Sequence, residues 1–156
     1  MSRHSKTNYR ISEWDVRRLY NESEFKARFE KGEFQEVVDY EKIIGEEKAK
    51  ALRNTTTGTR SQYVLCIDKN GDTVLEVHRY LNPDGTLGGS GKNDPKRITI
   101  KGITYGKPKD NQPEPPRLSS KQINAILNKR GFAATMTYIN SAYLHLRHLI
   151  FKITGK

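Results

Sequence analysis

The sequence predicts an α+β fold: N-terminal helices on a small three-stranded antiparallel sheet, a proline-rich linker, and two C-terminal helices. Three observations carry this. Residues 63–80 hold two β-favouring runs on either side of an Asn-Gly pair. Residues 107–116 gather four prolines. Beyond residue 118, apolar side chains recur at helical spacing.

Residues 1–11 read as a basic flexible arm. Ser12 then precedes Glu13-Trp14-Asp15, a helix N-cap followed by an acidic first turn that complements the helix dipole. Trp14, Val16, Leu19 and Tyr20 form the apolar side of that helix. Asn21 offers a second cap. Phe25 and Phe29, four apart, share a face, and Gly32 supplies a stop, so two short helices joined near Asn21 are expected. Phe34 to Leu52 is ambiguous: Val37, Val38, Ile43 and Ile44 are mixed with charges, and the stretch from Glu46 to Leu52 favours helix by propensity. Asn54 to Thr59 reads as a loop.

Tyr63 to Ile67 and Thr73 to Tyr80 predict a hairpin closed at Asn70-Gly71, because that dipeptide readily adopts the positive φ values of a tight turn. Arg97 to Lys101 alternates with a period of two, and Gly102 to Tyr105 extends it as a third strand. The divisions expected are a basic arm (1–11), an α+β domain (12–106), a proline-rich linker (107–117) and a basic helical module (118–156). In that module Ser119 and Ser120 are good caps, and Ile123, Ile126, Leu127 and Arg130 share one side before Gly131. Met136, Ile139, Tyr143, Leu146, Ile150 and Ile153 follow at spacings of three and four, which is helical amphipathicity. Tyr143 to Arg147 also alternates, so a strand is the competing reading there.

The formal charge is +10, and it lies in the second two-thirds of the chain: residues 1–50 balance, and no acidic residue follows Glu114 while seven basic ones do. Such asymmetry points to a polyanion. No apolar run approaches the ~20 residues of a membrane span. The polar start, Met1 to Lys6, lacks the apolar stretch of a secretory signal, and Cys66 is the single cysteine; both suit a cytoplasmic protein.

Leu118 to Phe132 followed by Thr135 to Ile150 resembles the helix-turn-helix of helix-turn-helix and winged-helix DNA-binding proteins, over about a quarter of the chain. There the second helix enters the major groove. The resemblance implies that Thr135, Thr137, Tyr138, Asn140 and Ser141 face base edges, while Lys121, Lys129, Arg130 and Arg147 hold phosphates. No clear second cap lies between Arg130 and Thr137, and little chain after Ile153 remains to build a wing.

The stretch from Gly85 to Asn93 is glycine-rich. It fails as a P-loop, with Thr86 where that motif needs Gly and Asn93 where it needs Ser or Thr. As a looser anion contact it brings backbone N–H groups together with Lys92, Lys96 and Arg97. His78, Arg79, Lys92 and Arg97 are the candidate catalytic set, with His78 as general base in a metal-independent nuclease. His145 and His148 have no third ligand near them in sequence, so neither a metal nor a cofactor is expected. The leading expectation is a non-catalytic regulator or accessory protein of a bacterium or mobile element that binds nucleic acid, above all double-stranded DNA. A homodimer through the last helix, a nuclease toxin, and an inhibitor that binds a nucleic-acid-handling enzyme are the alternatives.

Overall fold

A computed structural model describes residues 8–128 and 132–154. The elements run β1 (Asn8–Arg10), α1 (Glu13–Glu22), α2 (Phe25–Glu30), β2 (Gln35–Ile43), α3 (Glu46–Ala51), β3 (Arg60–Ile67), β4 (Thr73–Leu81), β5 (Asp94–Ile100), β6 (Ile103–Gly106), α4 (Ser120–Asn128) and α5 (Phe132–Thr154). The strands form one six-stranded mixed sheet in the order β1-β6-β5-β4-β3-β2, in which β1 and β6 are parallel. The expected three-stranded antiparallel sheet is therefore corrected: among the described residues there are six strands and five helices, and three of those strands go beyond the sequence expectation.

Each difference has a physical cause. The strand expected over 97–105 folds back on itself at Lys101-Gly102, both at positive φ (51° and 81°), so Ile100 pairs with Ile103. This is the two-residue turn that twists with its strands, and a lysine at its first corner gives little warning of it. β1 falls in the expected flexible arm. Its pairing with β6 (Asn8↔Thr104 to Arg10↔Gly106) is written in no local signal. β2 is exposed at every position, so its sequence lacks the alternation that marks a half-buried strand.

By internal packing the chain divides into two units: Met1–Lys26 with Arg97–Lys156, and Ala27–Lys96. The boundaries fall inside α2 and β5.

In the first unit, Ser12 caps α1 by accepting from the Asp15 amide at 3.1 Å. Val16, Leu19 and Tyr20 are buried as expected, whereas Trp14 is 47% exposed. The helix ends at Glu22, one residue past the expected join at Asn21, with Ser23 as its C-cap. Asp15 is fully buried. One of its oxygens accepts from Ser12 Oγ and from the Leu118 amide, both at 2.8 Å, tying the first helix to the chain just before α4. Ser119 and Gln122 form a reciprocal capping box at 2.8 and 3.2 Å. Ile123, Ala125 and Ile126 of α4 are buried, as are Met136 and Ile139 of α5, and Tyr105 of β6 donates its hydroxyl to Met136 Sδ at 3.7 Å. Residues 132–154 are helical, including the stretch with the competing strand reading. The expected helix stop at Gly131 lies outside the described residues.

In the second unit, β2, β3 and β4 pair antiparallel. Asp68 closes the expected hairpin by accepting from the Asn70 and Asp72 amides, with Gly71 at φ 81°. Val64, Cys66, Leu75 and Val77 are buried on one face of this sheet. Asn82 organises the connection after β4, donating to the Asn54 carbonyl at 2.7 Å and to Thr86 Oγ1 at 3.1 Å.

Candidate nucleic-acid interface

The fold sorts charge more sharply than the linear sequence does. The segments of the first unit hold 17 of the 28 Lys and Arg residues but six of the 18 Asp and Glu, a net +11; among the described residues the count is 12 against six, a net +6. The second holds the remaining 11 and 12, a net −1. The expected basic region from residue 50 onward is thus split. Residues 51–96 belong to a nearly neutral unit, and residues 8–26 join the basic one.

Within the first unit, ion pairs use part of the charge: Arg17 with Glu13 at 3.1 Å, Arg18 with Glu22 at 3.5 Å and Lys107 with Asp110 at 2.7 Å. Arg18 also reaches the Leu118 carbonyl and Ser120 Oγ at the start of α4. Arg117 lies 4.5 Å from the centre of the Trp14 ring, so an exposed indole and a guanidinium stack beside that helix start. Lys121 is exposed one residue into α4. Lys101 Nζ caps the other end of the helix through the Leu127 carbonyl at 2.7 Å, where the dipole favours a cation. At the end of β6, Gly106 lets two guanidinium groups approach the backbone: a Cβ there would meet Arg10 Nη1 at 3.3 Å and Arg97 Nε at 3.4 Å.

Along α5, Thr137, Tyr138, Asn140, Ser141, Leu144 and His145 are exposed. Thr137 Oγ1 donates to the Ala133 carbonyl at 3.0 Å. Thr135, expected among the base-facing residues, is 5% exposed and belongs to the buried side. Lys129 and Arg130 lie outside the described residues, as does the side chain of Arg147. Trp14 stands outside the core its sequence position suggests, and Arg117 has no role that sequence reasoning assigns. The signal available for the pair is composition alone, a tryptophan beside three acidic or polar neighbours and the first cation of the acid-free tail.

The candidate catalytic residues stand in different settings. His78 and Arg79 are adjacent in β4, and the pleat sends them to opposite faces. Arg79 is held by Glu36 at 2.7 Å and Gln62 at 2.9 Å, while His78 Nε2 meets Ser61 Oγ at 2.8 Å. Lys92 is exposed in the loop before β5. Lys96 is paired with Asp94 at 2.6 Å, and Arg97 belongs to the other unit. The glycine-rich loop spends its amides internally: Gly85 on the Asn82 carbonyl, Gly88 on Tyr80, Gly89 on Arg53 and Gly91 on Gly88. Those donors are not directed at an anion. Among the described residues no group of three or more His, Cys, Asp or Glu side chains could hold a metal ion, and no helix is long and apolar enough to cross a membrane. Compared with family models, with curated proteins and with solved structures, the chain matches none.

Proposed function

We propose that the chain binds nucleic acid through its first unit, with duplex DNA as the principal ligand and α4–α5 as the reading element, in a non-catalytic, cytoplasmic, regulatory or accessory role. The observation that carries this reading is the segregation of charge, +11 over the segments of one unit against −1 in the other. A phosphodiester backbone is drawn to such a field, and counterion release makes the attraction steep in salt. The exposed side of α5 suits the second part of the task. Asn140, Ser141 and Tyr138 offer donors and acceptors, and no carboxylate side chain anywhere after Glu114 repels a phosphate. Arg117 on Trp14 and Lys121 flank the start of α4 as phosphate contacts.

The test is binding to duplex DNA, single-stranded DNA and RNA across a salt series. Duplex affinity falls linearly on logarithmic axes. Replacing Lys121, Lys129 and Arg130 together by Gln lowers the slope by up to about 0.9 for each phosphate that is no longer neutralised. Replacing Lys50 and Lys69 of the second unit leaves it unchanged. A slope that is insensitive to the first set, or equally sensitive to the second, overturns the reading.

A further inference from the structure

The second unit carries a separate surface that charge does not explain. Its strands β3 and β4 bury Gln62, Val64, Cys66, Leu75 and Val77 on one face. Residues of opposite parity stand on the other face. There the register aligns two cross-strand rows. Tyr40, Tyr63 and His78 form the first, and Lys42, Ser61 and Tyr80 the second. Tyr40 is 56% exposed, and Tyr63, His78 and Tyr80 are partly exposed.

The rings of Tyr63, His78 and Tyr80 are held in contact with their neighbours. Tyr63 and His78 have centroids 5.4 Å apart, and His78 meets Tyr80 edge-on at 4.8 Å. Ser61 Oγ fixes the imidazole. Gly89 passes so close to Tyr80 that a Cβ would lie 3.1 Å from its ring. Tyr40 reaches its place because β2 bulges between Val38 and Tyr40; without the extra residue Asp39 would stand opposite Tyr63. Two cations flank the rings: Lys42 in the second row, and Lys48 of α3, whose Nζ is 5.5 Å from the Tyr80 centroid. Glu36 and Glu41 are drawn toward Arg79, and toward Arg60 and Gln62, in the register of the other face. Glu76 lies one row beyond His78, opposite Leu65.

We propose that this face is a second nucleic-acid site, a stacking platform for unpaired bases of single-stranded RNA or DNA. Tyr40 and Tyr63 take bases on their ring faces, and Lys42 and Lys48 hold the flanking phosphates. Aromatic rings on an open sheet face recognise single strands in this way, because every base has a π-face and a duplex hides it. The site is independent of the first unit and stands or falls on its own measurement.

The test uses the full chain and photoreactive ten-nucleotide oligouridine and oligothymidine, with crosslinks mapped by mass spectrometry and affinity read by fluorescence anisotropy. Crosslinks are expected on the peptides holding Tyr40, Tyr63 and His78. Tyr40→Ala and Tyr63→Ala each weaken oligonucleotide binding roughly fivefold or more. Tyr63→Phe restores it, because the ring and not the hydroxyl is used. The oligouridine and oligothymidine arms tell which sugar is preferred. Crosslinks confined to the first unit, or unchanged affinity in Tyr40→Ala with native circular dichroism, overturn the platform. Tyr40 is exposed, so that variant stays readable even where Tyr63→Ala does not fold. The two sites fail separately: absence of duplex binding with these crosslinks intact removes the first, and the reverse removes the second.

Discussion

Cys66 and Gly88 show how single positions are constrained by what surrounds them. Cys66 is completely buried, and burial pushes its thiol from the ordinary 9.0 up to about 12, with Glu36 adding to the rise and Arg79 opposing it. The folded protein is expected to resist a thiol-specific disulfide reagent at pH 8 and to react with one equivalent in denaturant. The neutral thiol favours the native state fully below pH 9, and that contribution fades as pH rises from 9 toward 12, because the unfolded thiol ionises first. Gly88 is restricted by space. A Cβ there would lie 2.6 Å from Thr55 Cγ2 and 3.1 Å from the Asn54 carbonyl. Thr55 cannot swing away freely, because its hydroxyl bonds the Ala49 and Leu52 carbonyls. Gly88→Ala should cost about 1–3 kcal/mol by overpacking, measured by urea unfolding; an unchanged midpoint would show that the loop yields. The chemistry at Cys66 is legible in the sequence, since a lone cysteine in an apolar strand reads as core. The constraint at Gly88 is not, because the atoms that crowd it come from a loop more than thirty residues earlier.

At the level of elements, local signals work where the physics is local. Ser12 and Ser119 cap helices, and Asn70-Gly71 closes a hairpin, since each acts on amides a few residues away. Asp15 does more than its sequence context implies. The acidic first turn suggests a surface residue complementing the dipole, yet its side chain is buried and also binds the Leu118 amide. Asp15→Ala should therefore remove the tie between the start of α1 and the start of α4 along with a cap bond. It leaves the Leu118 N–H unpaired, at about 1–3 kcal/mol in addition to the lost cap bond. Ser12→Ala, which removes the cap bonds and leaves Leu118 paired, should cost about 1 kcal/mol. Equal destabilisation of the two variants in thermal unfolding would count against the special role of Asp15. Strands are less legible. β2 carries Val37, Val38, Tyr40 and Ile43, all exposed, among charged residues, and its assignment depends on pairing with β3 rather than on its own pattern.

For the whole molecule, the decisive quantity is where charge ends up. The sequence by itself determined the net +10, the acid-free stretch after Glu114, the helix caps and the central hairpin, because composition is additive and caps and turns act over a few bonds. Only the tertiary structure decided that residues 8–26 join residues 97–128 and 132–154 in one strongly basic unit, through a parallel pairing of Asn8–Arg10 with β6. It also decided that the expected catalytic residues His78 and Arg79 face opposite ways, and that Tyr40, Tyr63 and His78 share a row. Such groupings come from strand register and long-range pairing. Their free energy lies in hydrogen bonds and burial between segments far apart in the chain, which no window along the sequence contains.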